Sequence, residues 1–497
     1  MSSATTILLS LLLPLSGAVL ISMTGRWPNL RETVTLVTAV AVALVVTSLI
    51  PEVLAGGRPE LLVMQLVGGL QIAFTVEPLG MLFAALAATL WIVNSIYSIG
   101  YMRGNNEKKQ TRFYVCFAIA IAAALGVAFA GNLLTLFLCY EILTLSTYPL
   151  VSHKGDRATV ASARVYLGIL LFTSIGLLLP AIIWTYLLAG TLTFSPDGIL
   201  AGHISGPAVG LLLALYVFGV GKAAVMPVHK WLPAAMVAPT PVSALLHAVA
   251  VVKAGVFTIT KVIIYVFGVD NLFAEPSSGW LLYAAAFTVI AASVVALRLQ
   301  NLKRMLAYST IGQLSYVIMA AAVLTPLSEI GAAVHIVAHA FGKITLFFAA
   351  GAIYTAAKKT ELSQLSGIGA RMPWTMTAFT IGALSMIGVP PTGGFVSKWF
   401  ILAGAFQSDN YVAIFTVIAS TALTAAYFLQ AGGSLAGAPG HCPQALDRLQ
   451  CGTGPDGGRT VLHQDQRLLW RRRLVRVWRD LRAHRLRADG GGGQVAG

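Results

Sequence analysis

The sequence predicts an all-α polytopic membrane protein, and three observations carry that prediction. Hydrophobic residues make up 57% of the 497 residues and charged residues only 10%, with a mean hydropathy of +0.80, far from a soluble composition. Apolar stretches of about 20 residues, the length a bilayer needs, recur thirteen times before residue 430. The connections between them alternate in charge, so that nearly every basic residue falls on one side of the membrane.

The stretches lie near 4–23, 33–54, 77–100, 112–130, 132–151, 163–190, 206–227, 241–268, 279–297, 304–322, 329–356, 374–407 and 411–430. The first follows MSSATT, which lacks the basic n-region of a secretory signal, so it is read as a span. With the N-terminus outside, the inner connections carry Arg26, Arg31, Arg103, Lys108, Lys109, Arg112, Lys154, Arg157 and Arg164. They continue with Lys230, Arg298, Lys303, Arg304, Lys358, Lys359 and Arg371. The outer connections carry one base, Arg58, and the acids Glu52, Glu60, Asp197, Asp270, Glu275, Glu329 and Asp409. That bias is a strong positive-inside signal, and a wrongly merged span would scramble it.

After an N-terminal three-helix segment (1–111), the spans divide into two five-helix blocks, 112–270 and 271–430. An odd number of spans per block gives the blocks opposite orientations, as an inverted-repeat transporter requires. The fourth span of each is interrupted beside a lysine. The first reads FGVGKAAVMPVHKWLP (218–233), with Gly219, Gly221 and Pro227 around Lys222. The second reads IGVPPTGGFVSKWF (387–400), with Pro390, Pro391, Gly393 and Gly394 before Lys398. Proline removes a backbone donor and glycine weakens the helix, so both runs should unwind locally. Unwound backbone survives at membrane depth only where it lines a cavity. An ordinary proline kink is the plainer alternative.

Glu141 is the one carboxylate in the middle of an apolar segment, and Lys222, Lys253, Lys343 and Lys398 sit at similar depth. Each such charge costs roughly 2.5–3.5 kcal/mol even on lenient insertion scales. One acid cannot neutralise four bases, which favours moving protons or cations over purely structural ion pairs. Glu141 is followed by Thr144 and Tyr148, which give its helix a polar stripe. His335, His339 and Lys343 recur at i, i+4 and i+8 on one helical face, spanning about 12 Å. Histidine suits a relay because its ordinary pKa is near 6.5. A lone membrane histidine is often only a hydrogen-bonded core group, but three polar groups on one face argue for more. His247 and Lys253 lie about 9 Å apart along their span. His229 and Lys230 flank an inner loop, as an access funnel or as topogenic charge. Lys261 is expected to snorkel, and Glu77 to sit at the interface. A lysine removed from water releases its proton more readily and an approaching carboxylate holds it on. Glu141 and Lys222, approaching and separating, would therefore bind and release a proton.

Two histidines at i, i+4 can hold a metal, but no third ligand lies near in sequence, so no metal is expected. The four cysteines form neither a disulfide framework nor a metal pattern. No nucleotide loop, flavin or nicotinamide motif occurs, so no cofactor and no bond-breaking chemistry are expected. The net charge of +15 reflects topology and the tail, not nucleic-acid binding.

HKWLPAAMVAPTPVSALLHA (229–248), NLKRMLAYSTIGQLSY (301–316), HIVAHAFGK (335–343) and GVPPTGGFVSKW (388–399) resemble the proton-translocating antiporter-like family. That family includes membrane-arm subunits of NADH:quinone oxidoreductase, related hydrogenase subunits and large subunits of Mrp-type cation/proton antiporters. The resemblance covers roughly residues 70–430. It implies fourteen helices, two inverted repeats and a central polar axis. Glu141 matches the family's fifth-helix glutamate, Lys222 its seventh-helix lysine, Lys253 its eighth-helix lysine and Lys398 its twelfth-helix lysine. His335, His339 and Lys343 match the polar eleventh-helix face. Length and character are nearest the Mrp D-type subunit. The implied function is a proton-conducting subunit of a multisubunit Na⁺ or K⁺/proton antiporter in a bacterial inner membrane, partnered by other subunits and lipid. A pumping subunit of complex I or a membrane hydrogenase is the alternative. A purely structural role, with a fossil polar axis, is the third reading.

The match ends after YFLQ (427–430), where the family continues into a fourteenth helix. Residues 431–497 contain no span and hold eleven Arg and no Lys, whereas residues 1–430 hold ten Arg and twelve Lys. A frameshift near residue 430 is expected from that switch. The rival reading is a basic tail, with WRRRLVRVWRDLRAHRLR (470–487) as an amphipathic helix on anionic lipid.

Overall fold

Helices begin where the sequence supplies a proline or a cap. In the computed structural model, which describes residues 2–436, Pro28, Pro78, Pro207, Pro326 and Pro373 each open a helix, where the missing N–H costs nothing. Asn132 accepts the Thr135 amide at 2.8 Å and Asn301 the Arg304 amide at 3.1 Å. Thr325 and Ser328 cap each other reciprocally.

The chain runs α1 (Ser3–Met23), α2 (Pro28–Leu54), a hairpin of β1 (Glu60–Gln65) and β2 (Gln71–Thr75), α3 (Pro78–Gly104), α4 (Gln110–Phe129), α5 (Leu133–Val151) and α6 (Arg157–Ala189). It continues with α7 (Pro207–Gly219), short turns to residue 239, α8 (Thr240–Phe267), α9 (Trp280–Leu297), α10 (Leu302–Ala322) and α11 (Pro326–Ala357). The last members are α12 (Pro373–Ile387), α13 (Gly393–Gln407) and α14 (Tyr411–Ala436). Among the described residues, eleven helices are long and apolar enough to cross a membrane. The two missing from the predicted thirteen are the fourth members of the two blocks, because both are broken. The first stops as a 13-residue helix at Gly219, and the second is two 15-residue helices separated by residues 388–392. Helix α14 is described through Ala436, past residue 430. The alternatives for 431–497 otherwise concern residues outside those described.

Helices α8 and α10 are the centre of the bundle, 94% and 89% buried over their spanning windows, while α1 and α2 are peripheral at 39% and 33%. The antiparallel hairpin was expected only as an outer connection. Its edge is satisfied by the α4–α5 junction: Gly131 N donates to Ala73 O at 3.0 Å, Ala73 N to Thr135 Oγ1 at 3.1 Å, and Asn132 Nδ2 to Gln71 O at 2.9 Å.

Beneath this hairpin Lys261 does not snorkel but pairs with Glu77 inside the protein. Lys261 is fully buried, Glu77 is 4% exposed, and they form an ion pair at 3.3 Å. Lys261 Nζ also donates to Ala130 O at 2.7 Å and faces the Phe194 ring at 4.3 Å. The hairpin and Phe194 close the route to water that snorkelling needs. Removing one partner strands a buried charge, so Lys261→Ala should lower stability by about 3–5 kcal/mol, and Lys261→Met with Glu77→Gln should recover most of it. Thermal unfolding in detergent measures both.

His153, between α5 and α6, is 3% exposed. Burial, then the Arg112 charge, pushes its imidazole down to about 4. The unfolded chain therefore binds that proton more readily than the folded one, and stability should fall as pH drops from about 6.5 toward 4. A His153→Gln chain should lose that part of the pH dependence in the same unfolding assay.

Candidate functional site: a buried lysine–histidine axis

The axis starts at α5. Lys222 lies in the broken stretch after α7 and is fully buried. Its Nζ donates to Tyr140 O at 2.8 Å and Thr144 Oγ1 at 2.5 Å, and sits 3.0 Å from the centroid of the Tyr140 ring. Tyr140 Oη accepts from the Lys222 amide at 3.1 Å, and Trp231 Nε1 donates to Gly221 O at 2.8 Å. These bonds occupy groups that a continuous helix would have used itself. Glu141, the next residue on α5, is half-buried, and its Oε1 has no hydrogen-bond partner among the described residues. Among the described residues no ion pair within 4.0 Å joins it to Lys222. The two predicted partners are neighbours held apart.

The break meets the centre of the bundle at Gly255 on α8. A Cβ there would collide with the Ala223 amide and lie 2.8 Å from Lys222 O. Two residues earlier, Lys253 is fully buried and its Nζ is 2.8 Å from His339 Nδ1 on α11. His247 lies on α8 inside a π-helical turn, Leu245–Val249, packed 4.8 Å from the Phe347 ring, with neither ring nitrogen bonded to protein. Such turns insert one residue into the helix and re-aim its side chains.

The α11 face behaves as its spacing predicts. His335 and His339 are buried with ring centroids 6.2 Å apart. His335 Nδ1 is 2.9 Å from Ser397 Oγ, immediately before Lys398, and 5.6 Å separates the His335 and Tyr316 rings. Lys398 Nζ donates to Ile387 O at 2.8 Å and Thr421 Oγ1 at 3.0 Å, and faces the Tyr316 ring at 5.3 Å. Lys343 takes a branch of its own: Nζ donates to Ser309 Oγ at 2.6 Å, and Ser309 meets Tyr427 Oη at 2.7 Å. His229 is half-buried, 6.0 Å from the Tyr308 ring, and Lys230 is exposed, so both remain at the rim. Among the described residues, no cluster of three or more His, Cys, Asp or Glu could hold a metal.

Buried bases from α8 and α11 thus lie beside the broken helices, with Lys253 Nζ at hydrogen-bond distance from His339 Nδ1 and His335 Nδ1 at hydrogen-bond distance from Ser397 Oγ. Comparison with known proteins gives the family. A family described as "NADH:quinone oxidoreductase/Mrp antiporter, TM" matches residues 130–424. The chain belongs to this family. It is 33% identical over 362 residues to "NADH-quinone oxidoreductase subunit N" of Desulforudis audaxviator, covering 72% of each chain. It is 32% identical over 402 residues to a probable K(+)/H(+) antiporter protein of Rhizobium meliloti, covering 78% of this chain and 38% of that one. Across that relative and six other curated ones, the chain spans 38–64% of their length. The structure of the Mrp complex from Dietzia sp. DQ12-45-1b contains the same fold, with a TM-score of 0.78 at 22% identity over 88% of this chain and 80% of that one.

Several groups of the axis escaped sequence reasoning. Ser397 and Gln313 lie inside motifs already singled out, and Gln313 Oε1 is buried without a protein partner. Tyr140 and Tyr427 carried no signal, because a tyrosine in an apolar helix reads as core. Gly255 also passed unnoticed, and it is the contact that brings the Lys222 break against α8. Adding one methyl should cost about 1–3 kcal/mol through overpacking. We expect Gly255→Ala to insert and to retain the hairpin-side Lys261–Glu77 pair. Its unfolding temperature and proton flux should both fall, with Gly312→Ala, where a Cβ meets nothing nearer than 3.5 Å, as the tolerated control.

Proposed function

We propose that this chain is the proton-conducting subunit of a multisubunit Na⁺ or K⁺/proton antiporter in a bacterial inner membrane. The observation that carries the reading is the buried series Lys253–His339–His335–Ser397, in which bases from α8 and α11 reach the broken fourth span on α13, with the Tyr316 ring between His335 and Lys398. A proton on Lys253 passes to His339 Nδ1 and leaves from Nε2, which has no protein partner. Buried polar groups of that kind are satisfied by ordered water, which extends the path from ring to ring. Lys398, Lys343 and His247 accept and release protons along it.

The drive comes from Glu141 and Lys222. Held apart, they leave Lys222 solvated by Tyr140 O and Thr144 Oγ1 alone, and closing the gap adds a carboxylate to its surroundings. The change alters how tightly Lys222 holds its proton. His229 and Lys230 form the inner mouth, and the N-terminus faces outward as the basic-residue bias requires. Residues 112–270 and 271–430 act as the two opposed halves, each contributing one broken span and its lysine. Lipid and neighbouring subunits cover the exposed outer helices.

A redox-driven pump is the second reading, favoured by the relative named as a subunit of NADH-quinone oxidoreductase. Proton flux in everted vesicles carrying the whole complex separates the two. Na⁺ or K⁺ should drive proton exit, and Glu141→Gln or Lys222→Ala should slow it on the order of a hundredfold, the scale of a lost acid–base group. Acidification only with NADH or another reductant would assign the chain to a redox complex. Mutants matching wild type would reduce the charges to structural ones.

A further inference from the structure

The ends of α2, α3 and α4 opposite the hairpin enclose an open cleft of about 560 Å³. It belongs to neither block and touches none of the axis residues. Its wall is built around Arg31, which is 4% exposed although it opens a peripheral helix. Arg31 Nη1 donates to Thr111 Oγ1 at 3.3 Å and Nη2 to Gln110 Oε1 at 2.8 Å, and the guanidinium lies 5.2 Å from the Tyr114 ring centroid. Its Nε is buried with no hydrogen-bond partner among the described residues. A guanidinium offers five donors, and an unused one in a buried position is a directed place for an acceptor.

The charge balance points the same way. Glu32 is shared between two guanidiniums, at 3.3 Å from Arg31 Nη2 and 3.1 Å from Arg103 Nε, with Arg103 Nη2 on its second oxygen. Lys109 adds a further positive charge to the wall, and Glu107 is the one acid lining the cleft. The lining and Glu32 together hold three bases, Arg31, Arg103 and Lys109, against two acids, Glu107 and Glu32, so the balance is positive beside a fixed, partly unbonded guanidinium.

The surroundings identify the ligand's other half. Trp27 is 61% exposed and Leu30 47%, directly beside the cleft, and the outer face of α2 continues with exposed Val37, Val40 and Leu44. Tryptophan at a helix end next to an apolar face is the signature of the headgroup level of a bilayer. We propose that this cleft binds the phosphate of an anionic glycerophospholipid, with its acyl chains laid along α2. Arg31 and Lys109 hold the phosphate oxygens, and Arg103 completes the cradle while keeping Glu32 neutralised.

The test uses the purified full-length chain in neutral detergent, with native mass spectrometry reading the phosphatidylglycerol retained against phosphatidylcholine. Phosphatidylglycerol should be held preferentially, and Lys109→Gln and Arg103→Gln should each weaken retention about fivefold, the worth of one base near an anionic surface. Arg31→Gln and Arg103→Gln each leave Glu32 with one partner and risk misfolding, so the exposed loop residue Lys109 is the decisive variant. Equal retention of phosphatidylcholine, or unchanged retention in both single variants, would overturn the proposal. Displacement of phosphatidylglycerol by millimolar inorganic phosphate would also overturn it, assigning the cleft to a free anion instead.

Discussion

An ammonium group withdrawn from water has to be given oxygen, and that need organises this protein. A lysine has three donors and no acceptor, and an intact transmembrane helix has already spent its carbonyls on itself. Two buried lysines, Lys261 and Lys398, and the half-buried Lys303 find carbonyls at places where a helix ends or the chain turns. Lys261 reaches Ala130 O at the end of α4, Lys398 reaches Ile387 O at the end of α12, and Lys303 reaches Ala238 O just before α8. Lys222 itself lies in a break, and borrows Tyr140 O from the neighbouring helix. Broken helices and buried bases are therefore one device seen from two sides.

Lys253 is the exception. It takes an imidazole nitrogen where the others take carbonyls. A carbonyl can only solvate a proton, whereas an imidazole can accept it. The same helix thus carries a base paired with a carboxylate, Lys261 with Glu77, and a base paired with an imidazole, Lys253 with His339. The separation is physical: the first is locked by a carboxylate and covered by the hairpin, and the second faces two histidines in sequence.

The glycines act on the same scale. Gly255 admits the Lys222 break to the face of α8, and Gly219 and Gly221 admit α6 to the other side of it, where a Cβ would strike Leu178 and Thr173. Interiors are packed too tightly to absorb an added methyl without shifting a neighbour. Here the neighbour is the backbone that carries the buried Lys222. Glu141 stands outside this tight frame, half-buried on α5.

Much of this was legible from the residues alone. Hydropathy determines the order and approximate bounds of the apolar spans, because a bilayer permits few solutions for an apolar 20-residue segment. Glycine and proline beside Lys222 and Lys398 determine where helices break, and the i, i+4, i+8 spacing of His335, His339 and Lys343 determines that they share a face. These are local properties of backbone and bilayer. Only tertiary structure decided which partner each buried charge meets. It paired Lys261 with Glu77 beneath a hairpin that no periodicity announced, turned Lys253 toward His339, sent Lys343 to Ser309, and kept Glu141 beyond ion-pair range of Lys222. Those choices depend on contacts between residues up to 184 positions apart, as for Glu77 and Lys261, and on close approaches at single glycines. Neither is written in any one segment.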